Sequence, residues 1–276
     1  MIGQTRLLNG IDILIKHGFP RFLLLIGKEG SGKKLICREI ANKLGCPLVT
    51  IGTGVDEVRE VITNSYRNTE PIVYVLPDTD KMSVSAKNAL LKITEEPPQK
   101  AYFIMTVTSS VNTLATLLSR ACVVYMSPYS ADELMEYLQL KYDTSKLSEY
   151  DIEFILQTCQ VPKEIDVLMS YNINEFIDFV RMVCKNLHTT SAANSFKMEN
   201  KLALKKDEDK WDVLLTLQAI EVYYLSMILT GDDKDLRYFD CSRCVGKTIT
   251  EIQTKNSVNK QYCLDQMILE IRKIWR

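Results

Sequence analysis

The chain has 276 residues, of which 46% are hydrophobic, so it is long enough for two or three domains with a substantial buried core. Its formal net charge of −1 argues against a protein that grips nucleic acid over its whole surface, because such proteins carry a clear basic excess. No apolar run reaches the length of a membrane span, and the first residues lack the apolar stretch of a signal peptide, so we expect a cytoplasmic protein without a membrane partner.

The first 128 residues alternate short apolar runs with helical patterns. The apolar runs are predicted as buried strands and span 22–26, 47–51, 72–76, 102–107 and 123–126. Helices are predicted between them, over 33–44, 55–66, 87–95 and 114–118. Continuous apolar strands separated by helices are typical of a parallel sheet that is covered on both faces. The predicted fold class of residues 1–128 is therefore an α/β nucleotide-binding domain.

After Pro128 the strands end and helical patterns follow. Ser130 and Glu133 form a capping box that begins a helix running to about Lys141. Further helices are predicted within 151–184, then a polar linker over 188–194, then three longer helices over 211–229, 236–252 and 258–274. These patterns predict a small helical domain over 129–188 and a second helical domain over 189–276.

The eight cysteines are scattered along the chain, and Cys241 and Cys244 form its one Cys-x-x-Cys pair. A structural zinc site needs four ligands, and no second Cys or His pair stands at a suitable spacing. We therefore expect no zinc, and in a reducing compartment we expect no disulfides.

A phosphate-binding loop (P-loop) is predicted directly after the first strand. Residues 27–33 read Gly-Lys-Glu-Gly-Ser-Gly-Lys, which matches G-x-x-x-x-G-K between a strand and a helix. The glycines let backbone N–H groups surround a phosphate, and the helix N-terminus adds partial positive charge. The candidate nucleotide-binding residues are Gly27, Gly30, Ser31, Gly32, Lys33 and Lys34. A glycine-rich turn without a ligand is the less favoured alternative.

Two positions depart from those that hold Mg²⁺ in P-loop enzymes. Lys34 stands where a Ser or Thr hydroxyl is expected, and Pro77 and Asp78 stand where a metal-binding Asp and a water-orienting Glu are expected. We expect this site to bind ATP without hydrolysing it, while the sequence leaves open both Mg²⁺ binding and an enzymatic activity of the chain itself. Asp78 or Asp80 could replace the missing carboxylate, and a solvated turn is the equal alternative.

Three further segments resemble the AAA+ clamp-loader family. Residues 85–98 resemble the N-A-L-L-K-x-x-E-E-P-P segment of bacterial clamp-loader subunits. Residues 80–83, Asp-Lys-Met-Ser, resemble the delta-prime form of that segment, and residues 117–120, Leu-Leu-Ser-Arg, resemble the family's Ser-Arg-Cys motif. The resemblance covers about residues 3–128 and implies an AAA+ domain, with the two helical domains as a lid and as a collar that holds the subunit in a ring.

The resemblance also implies roles for three residues. In the family the arginine of Ser-Arg-Cys reaches the ATP of a neighbouring subunit, so Arg120 is implied as an arginine finger acting in trans, although Ala121 replaces the motif's cysteine. Thr108 stands at the sensor 1 position. Lys163 stands where a sensor 2 arginine is found, and lysine is a poorer phosphate ligand. The alternatives are a surface arginine in a salt bridge, a strand-end threonine and a solvated lysine.

The implied function is that of a delta-prime-like subunit in a hetero-oligomeric clamp loader of DNA replication. Its partners would be other clamp-loader subunits, the sliding clamp, and primer–template DNA through the assembled complex. One alternative is an active ATPase subunit of the gamma or tau type that uses Lys33 and Asp78. Another is a non-catalytic scaffold that binds no nucleotide. Lys81, Lys87 and Lys92 could face DNA phosphates, but a solvated lysine face is the favoured interpretation.

Overall fold

The computed structural model describes residues 2–109, 115–189, 211–230, 235–254 and 259–275. The chain divides into two compact units, Met1–Glu133 and Leu134–Arg276. The division of the helical part into a lid over 129–188 and a collar over 189–276 stays a prediction. Most of the linker predicted over 188–194 lies outside the described residues.

The first unit contains a five-stranded sheet in which every pair of neighbouring strands is parallel. The strands are β1 (Phe22–Ile26), β2 (Leu48–Thr50), β3 (Ile72–Leu76), β4 (Ala101–Val107) and β5 (Cys122–Tyr125). Their order across the sheet is β2-β3-β4-β1-β5. All five residues of β1 are buried, because helices cover both faces of the sheet, and its sequence is accordingly apolar throughout.

Helices cover the sheet on both faces, as the sequence predicts. They are α1 (Thr5–His17), α2 (Lys33–Leu44), α3 (Val55–Ser65), α4 (Val84–Glu95) and the short α5 (Ala115–Leu118). Side chains alternate along β1, so that Leu24 packs with α3 and α4 while Leu23 and Leu25 pack with α1 and α2. The α/β fold class predicted for this part of the chain is confirmed.

Helix α1 is absent from the elements predicted above. Its apolar residues Leu7, Ile11, Leu14 and Ile15 have helical spacing, so the sequence did contain the signal. Gln4 precedes the helix with a backbone φ of 62° and is 2% exposed. Its side chain donates to the Ser127 carbonyl over 2.7 Å and accepts from the Ser127 N–H over 2.9 Å, which ties the start of α1 to the segment after β5.

The helical region begins with the predicted capping box. The Ser130 hydroxyl accepts from the Glu133 N–H at 3.2 Å, and the Glu133 carboxylate accepts from the Ser130 N–H at 2.9 Å. The helices are α6 (Ala131–Lys141), α7 (Glu149–Thr158), α8 (Pro162–Met169), α9 (Ile173–Thr189), α10 (Val213–Thr230), α11 (Leu236–Thr254) and α12 (Lys260–Ile274). None of the helices in the described part of the chain combines the length and apolar character that a bilayer crossing requires.

An aromatic cluster joins α9 to the last helices of the second unit. The His188 ring stacks on Trp275 at a centroid distance of 4.0 Å, and its Nε2 lies 3.2 Å from the Tyr224 hydroxyl. Tyr238 packs against both His188 and Trp275, and the Arg237 guanidinium lies 4.4 Å from the Trp275 ring centroid. Burial, reinforced by the positive charge of Arg237, lowers the pKa of His188 to about 4.

We expect the second unit to lose stability in mild acid through His188. An unfolded histidine titrates near pH 6.5, so below that pH the unfolded chain binds a proton that the folded chain excludes until about pH 4. The contribution of neutral His188 to the free energy of unfolding is therefore fully present above pH 6.5, and it decreases as the pH drops from 6.5 towards 4. After allowance for the partial exposure of the ring, the loss at pH 5 is about 1 kcal/mol.

Urea unfolding followed by tryptophan fluorescence measures this loss selectively, because both tryptophans, Trp211 and Trp275, belong to the second unit. His188→Gln should flatten the difference in stability between pH 7 and pH 5. His17→Gln, at the exposed end of α1, is the matched control and should leave the difference unchanged. An equal acid sensitivity in wild type and His188→Gln would contradict the assignment.

Candidate nucleotide-binding site and arginine finger

The predicted P-loop connects β1 to α2 at the carboxyl end of the sheet, the edge where ligands bind in open α/β folds. The Gly27 N–H donates to the Val107 carbonyl at 3.1 Å, which fixes the start of the loop against the end of β4. Gly30 and Gly32 have φ values of 82° and 88°, in the left-handed region that only glycine adopts at little cost. Gly32 is also the N-cap of α2, so the free N–H groups of that helix begin within the loop.

Lys33 lies inside the loop and is 8% exposed. Its ammonium donates to the Gly27 carbonyl and, at 3.0 Å, to the Lys28 carbonyl. Burial lowers the pKa of Lys33 below its usual value, while the carboxylates of Asp78, Asp80 and Glu29 oppose that shift. The ammonium is thus held by weak carbonyl acceptors that an anionic phosphate would replace.

Two residues outside the P-loop motif, Tyr129 and Met126, shape the loop, and no sequence pattern pointed to them. The Tyr129 hydroxyl donates to the Ser31 carbonyl at 2.9 Å. Met126 lies so close to Gly27 that a β-carbon on that glycine would come within 2.4 Å of the Met126 Cγ. The Ser31 hydroxyl is buried and has no hydrogen-bond partner, so a polar group inside the loop is left for a ligand to satisfy.

The turn after β3 brings Asp78 and Asp80 to the end of β4. Asp78 has φ 49°, and its N–H donates to the Thr106 hydroxyl at 3.2 Å, while its carboxylate lies 3.6 Å from the Lys81 ammonium. Asp80 is 8% exposed and accepts from the Thr108 N–H at 3.0 Å through Oδ2. The structure therefore joins Thr108 to this turn through its backbone, while its sensor 1 role stays a prediction.

The predicted solvated face for Lys81, Lys87 and Lys92 is wrong for Lys87. That lysine is 8% exposed, and its ammonium donates to the Asp80 carbonyl at 2.9 Å. It holds the first turn of α4 against the turn that follows β3. The sequence could not show this, because the partner is a backbone carbonyl in the preceding turn.

The residues at this site fit a nucleotide phosphate chain but not its Mg²⁺ ion. The loop N–H groups, the α2 N-terminus and Lys33 are the parts that bind phosphate in P-loop proteins. Lys34 is exposed on the first turn of α2, and Pro77 follows β3, so the two usual metal-ligand positions carry an ammonium and a side chain without oxygen. ATP would supply the phosphates, and no protein oxygen stands at either position for the metal.

Arg120 lies just beyond α5 and keeps 38% of its side chain exposed. Its guanidinium donates to the Thr116 carbonyl at 3.0 Å and to the Glu95 carboxylate at 3.2 Å. Glu95 belongs to residues 85–98, so this ion pair brings together two of the segments on which the family resemblance rests. The structure places Arg120 on the surface, where a finger acting on another subunit has to be.

Two other predicted features lie in the second unit. Lys163 is exposed on the first turn of α8, and its sensor 2 role stays a prediction.

Cys241 and Cys244 are buried in α11, where the Cys241 sulfur accepts from the Trp275 indole at 3.2 Å and the Cys244 thiol donates to Glu270 at 3.4 Å. Burial raises the pKa of Cys244 to about 12. The described ranges contain no group of three or more His, Cys, Asp or Glu side chains that could hold a metal.

The parallel sheet and the P-loop between β1 and α2 define the class of the first unit as an α/β P-loop domain, the fold found in AAA+ proteins. The RuvB Holliday junction branch migration motor of Thermotoga maritima is similar over 96% of this chain and 82% of its own, with a TM-score of 0.50 and 17% identity. At that identity the likeness establishes the fold.

Within that class, the sequence comparisons point to the clamp-loader family. Residues 51–130 match the family model described as DNA polymerase III, delta subunit. DNA polymerase III subunit delta' of Yersinia pestis is 34% identical over 153 residues, which cover 49% of this chain and 43% of the relative. The subunit delta' of Escherichia coli is 32% identical over 139 residues, which cover 43% and 39%.

A gamma subunit is similar as well. DNA polymerase III subunit gamma of Buchnera aphidicola (subspecies Schizaphis graminum) is 27% identical over 171 residues, which cover 50% of this chain and 47% of the relative. The matches thus span less than half the length of each of these relatives. The resemblance drawn from the sequence is confirmed, since the matched part of the chain is similar to delta' and gamma subunits.

Proposed function

We propose that this chain is a delta-prime-like clamp-loader subunit that supplies Arg120 to the ATP site of a neighbouring subunit. The observation that carries the proposal is the Arg120–Glu95 ion pair at 3.2 Å, which lies within the family match over 51–130. The pair holds a partly exposed guanidinium at the end of α5, next to the segment that resembles the N-A-L-L-K-x-x-E-E-P-P motif. A neighbouring γ-phosphate could replace the carboxylate as the ligand of that guanidinium.

The residues at the metal-ligand positions of the P-loop site favour this assignment over an active ATPase of the gamma type. Hydrolysis in P-loop enzymes needs Mg²⁺ held by a hydroxyl and a carboxylate, and here Lys34 and Pro77 occupy those positions. The residue that would act on another subunit's nucleotide, Arg120, is present. The chain would therefore bind ATP, leave hydrolysis to its neighbours, and act in a hetero-oligomer in the cytoplasm.

The proposed product of the cycle is a sliding clamp placed on primer–template DNA. The chain would contribute to DNA contact through the assembled ring, because its net charge of −1 provides no general basic surface of its own. The helices of 189–276 would form the collar that holds it among the other subunits.

Affinity purification of the tagged chain from its own cells, with mass spectrometry of the proteins that follow it, tests this proposal. We expect P-loop subunits with intact Walker motifs, in fixed ratio to the chain on gel filtration, with or without the clamp. Tagged chain that lacks residues 211–276 is the control and should lose these subunits. Recovery of the full chain alone, or with unrelated partners, would remove the replication role and leave the AAA+ fold.

A further inference from the structure

We infer that the P-loop of this chain binds a nucleoside di- or triphosphate without Mg²⁺, with the Lys34 ammonium taking the place of the metal's charge. The inference deepens the proposed function, on which it rests for the nucleotide itself. It assigns a role to Lys34, which enters the clamp-loader proposal only as the replacement of a metal-binding hydroxyl.

The side chains at the two usual metal-ligand positions carry no oxygen, and the nearby carboxylates of Asp78 and Asp80 are paired with a lysine or buried. Mg²⁺ needs near-octahedral oxygen ligands and is usually held by one or two protein oxygens together with phosphates and water. Asp78 pairs with Lys81 at 3.6 Å. The Asp80 Oδ2 accepts from the Thr108 N–H at 3.0 Å, and its Oδ1 is buried without a hydrogen-bond partner, so in this structure neither oxygen is open to a hydrated cation in solvent.

The charge of the site is preserved without a metal. A neutral hydroxyl and one carboxylate around a divalent cation carry a single net positive charge. Lys34 and Pro77 together carry the same single positive charge with no ion present. Lys34 lies on the first turn of α2, one residue after Lys33, so its charge adds to that of the helix N-terminus.

The loop also has an unsatisfied polar group of its own that a phosphate would complete. The Ser31 hydroxyl is 2% exposed and has no hydrogen-bond partner. The buried Lys33 ammonium rests on the carbonyls of Gly27 and Lys28. Buried polar groups without partners are rare, and those at a ligand site are completed on binding. These groups would bind phosphate oxygens directly, with no cation between them.

The dependence on Mg²⁺ should then be opposite to that of an ordinary P-loop site. Bound Mg²⁺ cancels two negative charges of the nucleotide, which weakens its attraction to Lys34, and the cation itself is repelled by the ammonium. We expect ATP and ADP to bind the full-length chain at least as tightly in EDTA as with excess MgCl₂, as measured by isothermal titration calorimetry. Tighter binding with MgCl₂, or no binding in EDTA, would overturn the inference.

Two variants and a control sharpen the test. Lys34→Gln should weaken binding in EDTA about tenfold, the loss of one charge–charge interaction at a partly exposed site. Lys34→Thr/Pro77→Asp restores both metal-ligand types and should make Mg²⁺ strengthen binding. Lys92→Gln removes an exposed charge from α4, and it should not change the affinity for nucleotide either in EDTA or with MgCl₂. Thermal unfolding shows whether each variant is folded.

The result is separable from that of the clamp-loader proposal. If the chain co-purifies with P-loop subunits but binds nucleotide only with Mg²⁺, the metal-free site is wrong and the clamp-loader assignment stands. If the chain binds nucleotide in EDTA but no such subunits co-purify with it, the clamp-loader assignment is wrong and the metal-free site stands.

Discussion

Replacing Arg120 with alanine is expected to slow ATP hydrolysis at the neighbouring site of the assembled complex by about 10³-fold or more, the lower end of the effect of arginine fingers. The guanidinium would stabilise negative charge that develops on the γ-phosphate in the transition state, and alanine offers no replacement. Assembly should be unaffected, because an exposed ion pair such as Arg120–Glu95 stabilises the fold by about 1 kcal/mol at most.

The experiment has to resolve single sites. A complex with several ATPase subunits would keep turning over at the sites that Arg120 does not serve, so steady-state turnover would understate the effect. Single-turnover hydrolysis with excess complex, followed by rapid quench, separates a fast population of sites from a slow one. We expect Arg120→Ala to convert one population from fast to slow.

Two further variants make the result specific. Arg120→Lys keeps the charge but loses the planar two-nitrogen fork, so it should recover only part of the rate. Arg59→Ala removes an exposed arginine of α3 that likewise pairs with an acid, Asp56 at 3.8 Å, and should leave hydrolysis unchanged. A wild-type rate at every site in the Arg120→Ala complex would rule out the finger and favour a scaffold.

The sequence predicted those parts of the fold that depend on residues adjacent in the chain. The run Phe22–Ile26 is a strand in the structure at the predicted residues, because five consecutive apolar residues fit a strand that is covered on both faces. The P-loop could be located for the same reason, since strand, glycines and helix N-terminus are adjacent in sequence. Helix α1 shows the limit of this approach, because its apolar spacing was present without a cap or motif to mark it.

Contacts between distant residues could not be predicted in this way. Tyr129 and Ser31 are 98 residues apart, and their hydrogen bond depends on how the segment after β5 returns to the P-loop. Lys87 was expected in solvent because lysine is rarely buried, yet the Asp80 carbonyl satisfies its ammonium inside the fold. The Arg120–Glu95 pair likewise depends on the packing of α5 against α4. The resemblance marked both residues without indicating that they touch.

The largest effect on stability is expected from Phe103 in β4. Its side chain is 1% exposed and stacks on Tyr74 at a centroid distance of 5.3 Å, with Phe22 at 6.4 Å on the neighbouring strand. Truncation to alanine leaves a cavity between the sheet and the helices that cover it. We expect Phe103→Ala to cost about 3–5 kcal/mol of unfolding free energy, as large aromatic truncations in cores do.

Thr106 lies in β4 and Thr108 directly follows it, and they contact Asp78 and Asp80, so the loss of stability should extend to the nucleotide site. Hydrogen exchange with mass spectrometry measures this loss locally, and amides of β1 and β4 that exchange through global opening should do so roughly 10²–10⁴-fold faster. Phe103→Leu keeps most of the volume and should cost about 1.5 kcal/mol or less. Val84→Ala, at a position 66% exposed on α4, should shift exchange by less than about 0.5 kcal/mol. If Phe103→Ala changed hydrogen exchange no more than Val84→Ala does, the stability of the sheet core would not depend on Phe103.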